Sequence, residues 1–335
     1  MRFLMMFLCC LLSSASYALE SLAGTFQQDP GVLLIESYQY EDAERYFNEQ
    51  LAAQSDRYKL SLLYLAKLAV LRDDGQKAVH FIEQSLAIEP HGVAEMMLAG
   101  DAYCTRAMQV SMFRALGLGR KCGYWYSKAA ETFPEHITAL RTAIEFHLEA
   151  PSIAGGSMKT ARQLLDKLVA LSEEDARILQ VSFIKANDGA QQAVVEANRL
   201  STKPFTNPRT AYDFAVFFKQ QKKPEQAMTL FNQLLEERAK GAESWHITDA
   251  LFQVGDMLLT SGSNTGEGIA LLEQYVAAST DIYDRHYFWS RLRLAEAYQA
   301  RGDTLKHKDL VAFIQSSNYS HDSDFKKALD AHVAN

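Results

Sequence analysis

The feature that most constrains this chain is a helix–turn–helix unit that recurs along its length. Residues 209–238 show it plainly. Between Thr210 and Phe218, the residues Ala211, Phe214, Ala215 and Phe218 fall on one helical stripe. A polar turn, Lys219 to Lys223, follows, and Pro224 opens a second helix carrying Ala227, Phe231 and Leu234. Proline suits a first helical turn, where its missing N–H has no intrahelical partner to lose. Apolar residues at these spacings make one buried face per helix, and the two faces are covered only if the helices pack as a hairpin. Small Ala215 opposite small Ala227 lets the two axes approach closely.

The same arrangement precedes Pro90, with Leu62, Leu65, Ala66 and Ala69 on one helix and Ala78 and Ile82 on the next. It returns between Met96 and Pro134, between Leu251 and Tyr275, and from Leu294 to Asp303. The small residue of each second helix serves as a marker: Ala43, Ala78, Cys122, Ala161, Ala193, Ala227 and Gly268, with His307 in the last unit. Successive markers lie 32 to 44 residues apart, so the longer steps hold loop insertions. This alternation of large, small and aromatic positions resembles the tetratricopeptide repeat (TPR). The resemblance implies an all-α, TPR-like α-solenoid of about eight helical hairpins, with degenerate first and last units because terminal repeats present a polar outer face. Scarce proline (7 of 335 residues) agrees with helices throughout.

The central stretch departs from the generic unit. Val93 to Leu116 reads as an unusually long first helix, punctuated by Gly117 and Gly119, with Arg120 to Phe133 returning. Val110-Ser111-Met112-Phe113, Gly117-Leu118-Gly119-Arg120-Lys121, Phe133-Pro134, and Ala150-Pro151 with Gly155-Gly156 resemble a group of exported bacterial TPR proteins. What this narrower resemblance implies is location and architecture, and no activity comes with it.

Residues 1–18 read as a signal peptide: Arg2, an apolar run from Phe3 to Leu12, and the small residues Ser16 and Ala18 before a cleavage point after Ala18. An uncleaved anchor is the competing reading. The expected organisation continues with a lead-in at 19–29, N-terminal repeats at 30–200, a linker at 201–208 (Ser-Thr-Lys-Pro-Phe-Thr-Asn-Pro), and C-terminal repeats and capping helices at 209–335. Beyond residue 18 no run is long and apolar enough to span a bilayer. The expected location is therefore periplasmic or secreted. Two cysteines follow the leader, and an even count in an oxidising compartment predicts a Cys104–Cys122 disulfide, the alternative being two inert buried thiols.

Motifs for catalysis are absent from the sequence. It contains no His-Glu-x-x-His, Gly-x-Ser-x-Gly, P-loop or dinucleotide-binding glycine pattern. His136, His147, Glu145 and Cys104 assemble into a metal site only on paper, and no cofactor or metal is expected. With a net charge of -7 and no basic run, a nucleic-acid partner is not expected either. TPR-like solenoids present their first helices on a concave face. The resemblance therefore places Lys67, Asp101, Tyr212, Asp213, Val216, Lys219, Phe252, Asp256, Trp289, Arg293 and Glu296 there as candidate partner-binding residues. That mixture suits a protein or peptide partner in a cell-envelope assembly. A small-ligand or glycan-binding protein using the same concavity, and an enzyme with an unrecognised site, are the alternatives.

Overall fold

A computed structural model describes residues 29–317 and 323–334. The expected leader at 1–18 and nearly all of the lead-in lie outside the described residues. The fold is an all-α, TPR-like α-solenoid, with seventeen α-helices and one short 3-10 turn among the described residues. Two compact units divide the chain, the first ending at Glu196 and the second beginning at Ala197.

The first unit opens with α1 (Pro30–Glu36) and α2 (Tyr40–Ala52), then α3 (Tyr58–Leu71) and α4 (Gly75–Ser85). It continues with α5 (Val93–Met108) and α6 (Met112–Thr132), α7 (Ile137–Glu149) and α8 (Met158–Leu171), α9 (Glu173–Asp188), and α10 (Ala190–Leu200), within which the division falls. The second unit contains α11 (Pro208–Gln220) and α12 (Pro224–Ala239), α13 (Trp245–Ser261) and α14 (Thr265–Ala278), α15 (Tyr287–Arg301) and α16 (Thr304–Ser316), and the closing α17 (Ser323–Val333).

Helix starts follow local chemistry. Asp29 accepts from the Gly31 N–H ahead of Pro30, Ser157 caps α8 through the Thr160 N–H, and Asn207 caps α11 ahead of Pro208. Glu173, Glu174 and Asp175 occupy the first turn of α9, complementing its dipole.

First and second helices differ in how they are buried. Helix α3 packs against both α4 and α5, so Leu60 through Val70 are buried on every side. Helix α4 has one covered face, carrying Gly75, Ala78, Ile82 and Ser85. The small marker residues hold the close approaches: Ala43, Ala78, Cys122, Ala161, Ala193 and Ala227 have no exposed surface. In the last pair His307 stands where the others have a small residue, and its Nδ1 lies 3.1 Å from the Ala295 carbonyl oxygen.

The α5–α6 hairpin corrects one expectation. The long helix is the second of the pair, not the first. Helix α5 stops at Met108, and the chain turns at 109–111. Gln109 stands at the stop: its side chain donates to the Asp73 carbonyl and accepts from the Gly75 N–H, while Ser111 adopts an extended conformation. Gly117 and Gly119 are helical. A Cβ on Gly119 would meet Ala154 at 3.3 Å, and one on Gly123 would lie 2.2 Å from the Phe146 ring, so these glycines admit neighbours into contact. The Ala150–Gly156 loop packs on this part of α6. Its turn ends at Gly155, whose φ of +105° suits glycine, and Arg120 Nε donates to the Ile153 carbonyl at 2.9 Å.

Cys104 and Cys122 form a disulfide that joins α5 to α6. Beside it Tyr103 donates to Glu83 on α4, and Lys121 from α6 pairs with Glu83 and lies over the Tyr103 ring. The second unit repeats this clasp without a disulfide: Tyr298 of α15 donates to Glu273 of α14, and Lys306 of α16 pairs with Glu273 over the Tyr298 ring.

Candidate functional site

The polar groups of the second unit converge on its three first helices, α11, α13 and α15. Each lies one repeat from the next, so residues 37 apart come side by side. Tyr212, Asp249 and His286 form one such row. The Tyr212 hydroxyl donates to Asp249 Oδ2 at 2.5 Å, His286 Nδ1 lies 2.5 Å from Asp249 Oδ1, and Gln253 donates to Oδ2 at 3.0 Å. Asp249 is fully buried. Burial pushes its carboxyl up, but His286 and the Tyr212 and Gln253 donors outweigh that and hold it below its ordinary value. The same burial, with the Asp249 charge beside it, raises the Tyr212 hydroxyl well above its usual value.

Lys219, Asp256 and Arg293 form the second row. Lys219 Nζ donates to Gln253 Oε1 at 2.8 Å and to Asp256 at 3.2 Å. Arg293 donates to Asp256 at 2.9 Å and to Glu296 at 2.9 Å, and it lies over the Trp289 ring. Gln253 joins the rows, so hydrogen bonds run without a break from Tyr212 in the core to Glu296 at the surface. Burial lowers the Arg293 pKa, and the Glu296 and Asp256 carboxylates outweigh it, leaving a firmly charged guanidinium.

Not every candidate lies in this network. Asp213 and Val216 are half-buried beside it on α11. Phe252 is buried with its ring stacked on His286, centroids 4.0 Å apart. Trp289 is half-buried and packs edge-on against Phe325 of α17, which makes it part of the packing of the closing helix. In the first unit Lys67 and Asp101 are both buried, and the Tyr126 hydroxyl donates to Asp101 at 2.6 Å. The histidines considered for a metal do other work. His136 caps α7 through the Ala139 N–H, and His147 is buried with Nε2 2.8 Å from Ser127 Oγ.

Three residues of this candidate site were missed by sequence reasoning. Trp245, at the start of α13, is the half-exposed indole of this region, and its Nε1 donates to Asp284 at 2.8 Å. Asp249 and His286 form the buried centre. A scan of the first helices for polar residues at one fixed offset would have found the rows. Asp249, Asp284 and His286 also bring ligand atoms within 4.8 Å of one another, a spacing that suits a cation. The donors already there account for the geometry. Tyr275 and the His286 N–H donate to Asp284 Oδ1, Trp245 to Oδ2, and both Asp249 oxygens are engaged. Every oxygen of the two carboxylates already accepts a hydrogen bond, so the cluster is described as a hydrogen-bond hub.

No protein-family model matches the chain. No curated protein matches it either. Among solved structures it is similar to a tetratricopeptide repeat protein from Parabacteroides merdae (14% identity, TM-score 0.42, covering 96% of this chain and 99% of that one). A second likeness is to the C-terminal part of a TPR repeat-containing protein from Cytophaga hutchinsonii (13% identity, TM-score 0.35, 89% and 98%). A third is to a human IFIT1 dimer with m7Gppp-AAAA (10% identity, TM-score 0.41, 92% and 72%). At those identities and TM-scores these likenesses carry no argument about ligand or partner.

Proposed function

We propose that the chain is a non-enzymatic, exported scaffold that holds a protein or peptide partner on the first-helix face of its second unit. The observation that carries this reading is the half-buried row Lys219, Asp256, Arg293 and Glu296, in which alternating charges are fixed across three helices. Preorganised charges of both signs recognise a polar, mixed-charge surface at little ordering cost. The half-exposed Trp245 ring lies 5.4 Å from Tyr212 and adds an aromatic anchor of the kind enriched at binding hot spots. The disulfide supports a location in an oxidising compartment such as the periplasm. The 201–208 segment is proposed as a linker between the two sets of repeats.

The reading is tested by placing a photo-crosslinking residue at Arg293 or Lys219, with Lys308 on the exposed side of α16 as control, and irradiating intact cells. A discrete adduct at the first two positions and none at the third supports it. Equal labelling at all three would count against this face.

A further inference from the structure

The net charge of the chain conceals a local bias of opposite sign. Residues 102–130 and 150–165 together hold seven Lys and Arg and no Asp or Glu, whereas the remainder holds 27 basic and 41 acidic residues. The two stretches touch, through Gly119 against Ala154 and Arg120 against the Ile153 carbonyl. Two exposed acidic residues border these stretches, Glu131 at the C-terminal end of α6 and Glu149 just ahead of the loop, and several from neighbouring elements are paired. Glu83 pairs with Lys121, Asp166 with Arg162 and Asp74 with Lys77, while Asp73 is held by Gln109 at the base of the hairpin. Arg114, Lys128 and Lys159 are exposed and take no ion pair among the described residues.

The same two stretches expose large apolar side chains. Phe113 is 84% exposed, Met112 69%, Ile153 60%, Tyr124 58% and Met158 36%. Phe113, Gly117, Arg120 and Tyr124 lie at i, i+4, i+7 and i+11 and so share one stripe of α6. Arg120 brings Ile153 of the loop to that stripe. Folding within the unit therefore leaves uncovered a face that is both apolar and basic, on a chain that is otherwise acidic.

We infer that this face of α6 and the Ala150–Gly156 loop docks on an anionic lipid surface. The pairing of protruding apolar residues with flanking cations is what an interfacial site requires: the apolar groups enter the headgroup–acyl boundary and the cations meet anionic headgroups. A protein partner would need a cognate pocket for Phe113 and another for Ile153. A fluid interface takes both without one. A soluble polyanion would use the cations and leave the apolar residues in water.

Flotation of the chain from Leu19 onward, without the expected leader, with vesicles of phosphatidylglycerol and phosphatidylcholine, against pure phosphatidylcholine, tests this. Binding to the anionic vesicles alone, weakening as salt is raised, is the expected result. Phe113→Ser with Ile153→Ser should lower vesicle affinity by on the order of tenfold or more. Arg114→Glu should lower it by on the order of tenfold. Both substitutions sit on exposed side chains, and unchanged thermal unfolding by circular dichroism confirms that the loss is not one of folding. Absence of flotation with anionic vesicles overturns the inference. So does flotation that Phe113→Ser with Ile153→Ser leaves unchanged while heparin competes it away, which would identify a polyanion site. Dimerisation of the wild-type chain that Phe113→Ser abolishes, without vesicle binding, would assign the face to a second copy and overturn it equally.

Discussion

The two units carry the same clasp and secure it differently. In the first, Tyr103, Glu83 and Lys121 sit beside Cys104 and Cys122, so the noncovalent triad and the covalent bridge hold the same hairpin. In the second, Tyr298, Glu273 and Lys306 have no bridge beside them, and a buried Asp249 hub links α11, α13 and the start of α15. The first unit depends on a redox state and the second on a charge state. A shared local motif does not by itself set what breaks a unit; the other ties in that unit do.

The largest expected effect comes from removing the hub. Asp249→Ala leaves the Tyr212 hydroxyl, His286 and Gln253 without their buried acceptor and should destabilise the second unit by about 3–5 kcal/mol. Urea unfolding followed by Trp245 and Trp289 fluorescence checks it, and hydrogen exchange should show the loss confined to the second unit. Protection lost equally in both units would contradict the separation drawn here.

Removing the bridge comes next. Cys104→Ser with Cys122→Ser frees a loop of 18 residues' separation, and the chain-entropy relation gives a loss of about 3 kcal/mol, confined to the first unit. Hydrogen exchange in reducing buffer gives the same comparison without mutation. Protection of α5 and α6 should fall while that of α13 and α15 holds.

Smaller effects separate the clasps. Tyr298→Phe removes a hydroxyl that donates to Glu273 and should cost about 1 kcal/mol. Tyr103→Phe should cost less in the oxidised chain than in the Cys104→Ser, Cys122→Ser variant, because the disulfide already holds that hairpin; equal costs in both backgrounds would show that bridge and clasp act independently.

The pH response follows from the same groups. Asp249, Glu83 and Glu273 are held below their ordinary values of 3.8 and 4.5, so their contribution is complete above those values and is lost as pH falls through the lower folded ones. Tyr64, Tyr103, Tyr212 and Tyr275 are all raised, chiefly by burial, so stability is complete below pH 10 and declines as pH rises past it. Thermal melts across acid should show the Asp249→Ala variant flatter than wild type below pH 4.

Much of the fold was legible because a hairpin's contacts are local. Ala78, Ala161 and Ala227 mark close helix approaches within a few turns of their partners, and Ser157 and Pro224 announce helix starts in the residues themselves. The turn at 109–111 was not legible, because Gln109, at the end of α5, bonds Asp73, 36 residues away, and because Gly117 and Gly119 look like breakers when read alone. Register put Lys219, Asp256, Arg293 and Glu296 among eleven candidates expected on one face, and the structure brings these four into contact. Register could not show that the same face buries Lys67, Asp101, Tyr212 and Phe252, since burial depends on what packs over a helix.

The sequence by itself determined the helical hairpin, its approximate number and the small residues at its crossings, because periodicity and capping act over one or two turns. Only the tertiary structure decided which polar residues became a buried hub and which a charged surface row. It also decided which apolar residues of α6 were left in water. Those outcomes depend on which helix lies alongside at a separation of a whole repeat, and short-range patterns carry no record of that.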